Sequence, residues 1–503
     1  MRKIQILIVL AAAVGAAWLT SQVDNGMGPG WAHNVVRNWE QFGFFNLNGQ
    51  MVVNPGGFQA DTKPEIYPGH RPASMYPAFF CHHLFAATGL GFFAYYAVTA
   101  AMVLLSIWWL LGRTERAFWL AAMAVILPGY IRWQTELDPN LTAVLFGYPF
   151  CAAAIWLLRR PRLNWRQTAA LFALIVIFSA INWTTVFVHA MFFMTLLVMP
   201  RIPWRNLFIY AGLTAVAGGG VVLMSVASKM ARADGSSGGL SLMLSAYGWG
   251  NTGYGAGMTT QTAILRLVAA NVIGLLPLLG YLGWQMWRRG FRRSATGLLV
   301  LLPLLVPAVE ALGMRNYFGH HPWMSVNFFL MGIILAMVAW KDRAGVATAG
   351  DTTRLPVRLA WLAAVFAYSF VVLAAGHAHN DRELALVTFI RQHTERDATI
   401  VIRRDTDPAL AELASRLDEL FDRHLVVVPD AVENNLAGVP AKRMFLTATA
   451  RTSEKMLAQT DGTDSTSPAL KKLLDWYASH IAHRRVGDKL DIGEQYFLYP
   501  SND

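Results

Sequence analysis

Long apolar stretches alternate with short polar connectors over the first three quarters of the chain. Residues 1–376 contain about eleven such stretches, each roughly long enough to cross the ~30 Å hydrocarbon core of a bilayer. The pattern predicts about eleven membrane-spanning helices, over 4–20, 91–111, 117–131, 141–158, 168–182, 185–199, 207–228, 262–286, 295–311, 323–340 and 357–376. Two long connectors, 21–90 and 229–261, interrupt the alternation.

Positive charge concentrates in every second connector. Of the 26 Lys and Arg residues before position 377, 18 lie at Arg2/Lys3, Arg113/Arg116, Arg159/Arg160/Arg162/Arg166, Arg201/Arg205, Arg288/Arg289/Arg292/Arg293 and Lys341/Arg343/Arg354/Arg358. Because Lys and Arg accumulate on the cytoplasmic side of membrane proteins, these connectors and the N-terminus are predicted to be cytoplasmic. The other connectors, which hold most of the acidic and histidine residues of this region, are then extracytoplasmic.

The composition changes at His377. Amphipathic helical patterns at 380–395, 408–421 and 467–483 alternate with β-like runs at Thr399–Ile402, Leu425–Val428, Met444–Leu446 and Tyr496–Tyr499. We therefore expect a transmembrane module over 1–376 and a small α/β domain over 377–503. An odd number of spans places that domain outside the cytoplasm, on the periplasmic side of a multi-pass protein of the plasma (bacterial inner) membrane.

The charge distribution argues against a nucleic-acid partner. Residues 1–376 carry 26 basic and 11 acidic side chains, whereas residues 377–503 carry 16 and 20. The basic excess therefore belongs to connectors that face anionic lipid. Cys81 and Cys151 lie in apolar runs without metal-ligand spacing. A cleaved signal peptide over residues 1–20 is an alternative to a retained first helix.

Polar side chains gather in the extracytoplasmic connectors. Four clusters stand out: Asp24–Gly26 followed by Ala32–Phe45, Glu65–Pro72, Arg132–Pro139, and Arg315–Trp323. The first long connector is predicted to contain interfacial helices around 32–42 and 73–87, and the third cluster to form a short outer turn over 132–140. Carboxylates, cations and aromatic rings are thus expected to meet at one membrane surface.

This combination suits the transfer of a sugar from a lipid carrier. A carboxylate can take the proton of an acceptor hydroxyl. Arg and His can stabilise the charge that grows on a phosphate leaving group, and the planar guanidinium makes Arg71 and Arg315 the better phosphate ligands. Tyr and Trp rings near the site can stack on a sugar. Tyr247 and Trp249 lie in a Gly-rich loop that is either a mobile lid or a plain connector.

The connectors resemble those of the C-type glycosyltransferase (GT-C) superfamily, in its protein-mannosyltransferase-like and aminoarabinose-transferase-like branch. The family pattern has an acid after the first helix, an A-x-N-x-x-R-x-x-x-x-x-G stretch, a Y-x-x-H-(H/K/R)-P-P element and a second acid after the third helix. In this chain these are Asp24, Ala32–Gly43, Tyr67–Pro72 and Glu136/Asp138. Asn25 and Ala73 stand where close relatives have a second acid and a second proline.

The resemblance implies a polytopic GT-C fold, a polyprenyl-phosphate-linked sugar donor and a hydroxyl acceptor. Asp24 would be the catalytic base, and Glu136 or Asp138 would assist it or hold a divalent cation such as Mg²⁺ or Mn²⁺. The donor phosphate would lie against His70, Arg71, Arg315, His320 and His321. Contacts to the sugar or the acceptor are expected from Tyr67, Trp133, Tyr247 and Trp249.

Each of these residues also has a plainer interpretation. Asp24 and Asp138 could cap helices, and His70 and Arg71 could extend to lipid headgroups. Glu310 lies inside a predicted span, where it could have a role near the acceptor or form a structural pair with Arg315. Two other functions remain open from the sequence: a flippase or transporter for lipid-linked oligosaccharides, and a membrane-anchored scaffold for envelope assembly.

Overall fold

The computed structural model describes residues 2–23, 30–53, 72–88, 90–134, 139–221, 223–224, 260–288, 299–313, 322–344 and 355–377, together with four short strands between 399 and 500. The helices of this part of the chain are α1 (Arg2–Val23), α2 (Gly30–Phe42), α3 (Tyr76–Phe85), α4 (Gly91–Leu110), α5 (Glu115–Val125), α6 (Pro128–Gln134), α7 (Pro139–Leu158), α8 (Trp165–Ile181), α9 (Thr185–Val198), α10 (Trp204–Leu213), α11 (Thr260–Arg288), α12 (Leu305–Gly313), α13 (Pro322–Ala344) and α14 (Leu355–His377).

The helices coincide with the apolar stretches of the sequence. Among the described residues, five segments are long and apolar enough to span a bilayer: Gly91–Leu110, Asn140–Leu158, Gln261–Trp284, Ser325–Arg343 and Leu355–Ala374. Shorter apolar helices occur at Leu7–Thr20, Trp165–Ile181, Thr185–Val198 and Leu302–Gly313. A polytopic helical membrane protein is therefore confirmed, whereas the count of eleven spans stays a prediction.

The predicted span 117–131 is wrong in detail, because two helices replace one. α5 ends at Val125 and α6 begins at Pro128, a residue that lacks an N–H and is favoured in the first turn of a helix. α6 then continues to Gln134, so residues 132–134 form its last turn rather than part of an outer turn over 132–140.

Side chains from four basic connectors meet at one end of the bundle, which we call the basic end. Its contacts are Arg159 to Asp342 (2.9 Å), Arg201 to Asp342 (3.7 Å), Lys341 Nζ to the Leu111 carbonyl (2.7 Å), Asn206 Nδ2 to the Arg160 carbonyl (2.7 Å) and Arg358 to Glu115. Gly112, at φ +86°, gives Lys341 space to reach α4. These connectors therefore share one side of the bundle, and its cytoplasmic orientation stays a prediction.

The outward faces of the helices are apolar, as a hydrocarbon solvent requires. Val216, Leu223, Phe208 and Leu265 each expose between 68% and 73% of their surface. Patches of this kind are rare on water-soluble proteins. The interior packs Tyr95, Tyr130, Tyr148, Phe118 and Phe192 against many small alanines.

The chain divides into two compact units, residues 1–24 with 67–375, and residues 25–66 with 376–503. In the second unit, α2 is followed by residues that fold back on it, since Trp39 Nε1 donates to the Gln50 carbonyl at 2.7 Å and Asn38 Nδ2 to the Val52 carbonyl at 2.8 Å. The predicted interfacial helices correspond to α2 and, in the first unit, to Pro72–Ser74 and α3.

The second unit also contains a four-stranded sheet in the order β2-β1-β3-β4. Its strands are β1 (Thr399–Arg403), β2 (His424–Val428), β3 (Arg443–Thr447) and β4 (Phe497–Pro500). β1 is parallel to β2 and β3, while β3 and β4 are antiparallel. All four predicted strands are present within one or two residues. The helices predicted over 380–395, 408–421 and 467–483 lie outside the described residues, so an α/β domain over 377–503 stays a prediction.

Candidate active site

Most of the residues predicted for the site lie outside the described part of the chain. These are Asp24, Tyr67, His70, Arg71, Glu136, Asp138, Tyr247, Trp249, Arg315, His320 and His321. Trp133 lies in the last turn of α6. The helices that lead into several of these residues are described, so the ends of those helices can be compared.

A buried cluster of hydrogen bonds joins the ends of α1 and α6, and we call it the Gln134 node. Oγ1 of Thr20 lies 3.3 Å from Oε1 of Gln134, and Nε2 of Gln134 donates to the Tyr96 carbonyl at 3.1 Å and to the Thr99 hydroxyl. Thr20 and Gln134 are fully buried. An amide and a hydroxyl inside a bilayer need such partners, because no water replaces them. The node therefore fixes α1, α4 and α6 to one another.

The node lies close to the last described residues that precede two of the predicted carboxylates. Asp24 follows Thr20 by one helical turn in sequence, and Glu136 follows Gln134 by two residues. Since Thr20 and Gln134 touch, α1 and α6 end side by side. α4 shows that both helices end on the side opposite the basic end. The first half of α4 contacts the node through the Tyr96 carbonyl, whereas Leu111, just after its last residue, contacts Lys341 at the basic end.

A second polar contact lies at the same end of the bundle. Asn140, at the start of α7, is joined to the loop between α8 and α9, because Nδ2 of Asn182 donates to Oδ1 of Asn140 at 3.0 Å. The predicted hairpin tip at 182–184 is present, and the Thr185 hydroxyl donates to the Asn182 carbonyl at 2.7 Å. Both amides are buried. Their N-x-(S/T) sequences are thus structural here, since an acceptor for glycosylation has to be exposed.

The segment after Arg71 enters the bundle at this end as well. Pro72–Ser74 contacts α7 and α8, and α3 packs on α4. The ring of His82 lies 4.3 Å from that of Phe92, close to the first residue of α4. The fourth candidate cluster, Arg315–Trp323, begins after α12 and ends in the first turn of α13. α13 is fixed to α6 because Asn327 Nδ2 donates to the Gly129 carbonyl at 3.1 Å.

Four chain segments that carry candidate residues therefore begin or end on the same side of the bundle. They follow α1, precede Pro72, follow α6 and connect α12 to α13. The meeting of carboxylates, imidazoles and guanidinium groups from these segments stays a prediction. Contacts among the candidate side chains themselves lie outside the described residues.

Sequence reasoning missed a polar cluster between α8, α9 and α10. Nδ1 of His189 lies 2.9 Å from the Tyr210 hydroxyl, and its Nε2 lies 3.0 Å from the Ser179 hydroxyl. Phe150 and Phe178 pack edge-on against the imidazole. Because both ring nitrogens have partners and the residue is buried, His189 holds three helices together. A single polar residue within an apolar stretch was the available signal.

The described residues do not include a complete metal site. No group of three or more His, Cys, Asp or Glu side chains within this part of the chain could hold an ion. The carboxylates predicted to bind Mg²⁺ or Mn²⁺ lie beyond α6, outside the described residues. The divalent cation therefore stays a prediction.

Comparison with known proteins bears on the fold. No protein-family model matches the sequence, and no curated protein sequence matches it. The structure is similar to crystal structures of ArnT from Cupriavidus metallidurans, one in the apo state and one bound to undecaprenyl phosphate, each with a TM-score of 0.52 and 14% identity. Each match covers 99% of this chain and 98% of the ArnT chain. The chain therefore shares the overall fold of ArnT, as the aminoarabinose-transferase-like motifs led us to expect.

Proposed function

Starting from the fold it shares with ArnT, we propose that this chain is a glycosyltransferase. It moves a sugar from a polyprenyl-phosphate carrier to a hydroxyl of a lipid, glycan or protein at the outer face of the plasma membrane. The observation that carries the proposal is the contact between Thr20 and Gln134, which brings the helix ends before Asp24 and Glu136 together. A related fold in complex with undecaprenyl phosphate supports the choice of carrier.

The reaction begins with the acceptor. The Asp24 carboxylate removes the proton of the acceptor hydroxyl, and the oxygen attacks the anomeric carbon of the donor sugar. The bond between that carbon and the phosphate oxygen breaks, and its electron pair leaves with the lipid phosphate. Because attack and departure take place on opposite faces of the sugar, the configuration is inverted.

The leaving group needs positive charge and hydrogen-bond donors. Arg71 and Arg315 match the phosphate oxygens with their planar guanidinium groups, and His70, His320 and His321 add imidazole donors. Glu136 or Asp138 orients the acceptor or holds a divalent cation, which would neutralise phosphate charge when bound. Tyr67, Trp133, Tyr247 and Trp249 provide rings for the sugar or the acceptor.

Replacement of Asp24 by Asn tests the proposal. The purified protein is reconstituted with undecaprenyl phosphate that carries radiolabelled glucose, mannose or arabinose, and transfer to acceptors in membranes is measured. Removal of a general base lowers the rate by about 100-fold or more. Asp61→Asn, which changes an acid of the same long connector, is the matched control and retains the wild-type rate. Wild-type transfer by the Asp24→Asn protein refutes the assigned base.

A further inference from the structure

Glu310 carries a buried carboxyl group, and one of its two oxygens has no hydrogen-bond partner among the described residues. It lies in α12 with 5% of its surface exposed, and its Oε2 accepts no hydrogen bond from the described residues. Within a span, a carboxyl group in this condition is costly and generally functional. No cation is available to it in the part of the chain that the structure describes.

Thr184 is a second unsatisfied group on the neighbouring helix. Its Oγ1 is buried and makes no hydrogen bond in the described structure, and it directly precedes α9, which packs on α12. α9 runs towards the basic end, because the chain that follows it reaches Arg201 there, so α9 begins on the opposite side. α13 ends at the basic end near Lys341, so α13 begins, and α12 ends, on that opposite side as well. Both groups thus lie towards the end where the candidate residues leave the bundle.

We propose that Glu310 and Thr184 form a subsite for sugar hydroxyls, and this rests on the proposed glycosyl transfer. A carboxylate oxygen accepts and a threonine hydroxyl both donates and accepts, which matches neighbouring hydroxyl groups of a saccharide. Polyprenyl chains have no donor for Glu310. Trp183, half-buried and adjacent to Thr184, offers an aromatic surface for the apolar side of a sugar.

The proposal predicts a conflict between stability and function at position 310. Glu310→Leu removes a buried group without a partner, so the ligand-free protein melts about 2 °C or more above the wild type in detergent. Sugar recognition weakens at the same time, because the hydrogen bonds between the sugar and the buried carboxyl group are lost. The KM for the sugar-bearing substrate rises about tenfold or more. Val309→Leu, which changes the exposed neighbour on α12, alters neither quantity.

Bare undecaprenyl phosphate and undecaprenyl phosphate that carries glucose, mannose or arabinose separate the sugar contribution from the lipid contribution. The wild-type protein is stabilised more by a sugar-loaded carrier than by the bare carrier, and Glu310→Leu loses this difference while it retains stabilisation by the bare carrier. If the subsite binds a sugar of the acceptor instead, the Glu310→Leu protein hydrolyses the labelled donor with an unchanged KM, whereas its rate of transfer to membrane acceptors falls. Either pattern supports the subsite and identifies its source.

Glu310→Gln keeps the test valid if the leucine variant does not fold. Its amide keeps one carbonyl acceptor but has an NH2 donor in place of the second oxygen, so an intermediate KM is expected. Wild-type KM values and wild-type ligand stabilisation in both variants overturn the subsite alone. A wild-type protein that neither transfers sugar nor is stabilised by undecaprenyl phosphate refutes the proposed function itself, and the subsite with it.

Discussion

Thr20 and Gln134 lie 114 residues apart in sequence, and their side-chain oxygens are 3.3 Å apart. The contact joins the last turn of α1 to the last residue of α6. Both residues are uncharged, and both precede a predicted catalytic carboxylate by four residues or fewer in sequence. In the proposed reaction, the Gln134 node therefore supports the helices before the two carboxylates and takes no part in the chemistry.

Replacement of Gln134 by Ala is expected to weaken both the fold and the reaction. The change leaves the Thr99 hydroxyl and the Tyr96 carbonyl without this buried partner, at a cost of about 1–3 kcal/mol in unfolding free energy. Thermal unfolding in detergent and the sugar-transfer rate are the two measurements. Gln167→Ala, at the exposed start of α8, is the control and leaves the transfer rate unchanged. An unaltered melting temperature for Gln134→Ala would contradict the node.

The node also predicts that positions 24 and 136 lie on the same side of the membrane, opposite the basic end. In a protein without native cysteines, Asp24→Cys and Glu136→Cys should react from the same side of intact cells with a membrane-impermeant maleimide. Arg113→Cys and Arg160→Cys, at the basic end, should react only after the membrane is permeabilised. Labelling of positions 24 and 136 from opposite sides would disprove both the node and the proposed site.

The two native cysteines provide a test without any substitution. Cys81 in α3 is half-buried and Cys151 in α7 is buried. Burial raises the pKa of the Cys81 thiol, so less thiolate is present at neutral pH and maleimide reacts slowly. The rate should continue to rise above pH 8.5, where an ordinary cysteine begins to level off. Cys151 should react only after unfolding, and rapid labelling of Cys151 in the native protein would contradict its burial.

Asp342 is expected to matter for stability but not for chemistry. Its buried carboxylate pairs with Arg159 and Arg201 and accepts the backbone N–H of Arg201 at 3.3 Å. Asp342→Asn should lower the unfolding free energy by about 1.5–3 kcal/mol, while the transfer rate per folded molecule stays unchanged. Arg343→Gln, at the exposed neighbour, should shift stability by less than about 0.5 kcal/mol. Full stability of Asp342→Asn would show that the ion pairs contribute little.

Apolar stretches and basic connectors predicted the helices well, because bilayer thickness and charge sidedness act on local sequence. The strands were also predictable, since runs such as Thr399–Ile402 are short, β-branched and apolar. The break at Pro128 was missed because proline is acceptable within an apolar run and in the first turn of a new helix. Residues 132–134 were consequently assigned to a turn.

The contacts that position the site were not predictable from the sequence. Gln134 was recognised as one polar residue in a connector, and Thr20 as the end of an apolar run. Their partnership depends on how α1, α4 and α6 pack, and neither spacing nor composition reports a contact over such a separation. Glu310 was different, because a lone acid in an apolar stretch is unusual on its own.

Because the Gln134 node is uncharged, it affects how a profile of activity against pH is interpreted. Thr20, Gln134 and Thr99 carry no group that titrates between about pH 4 and 9. The packing of α1, α4 and α6 at the node should therefore not change with pH over this range. A bell-shaped profile of activity against pH would then report the reacting groups themselves, with no contribution from loosening of their support.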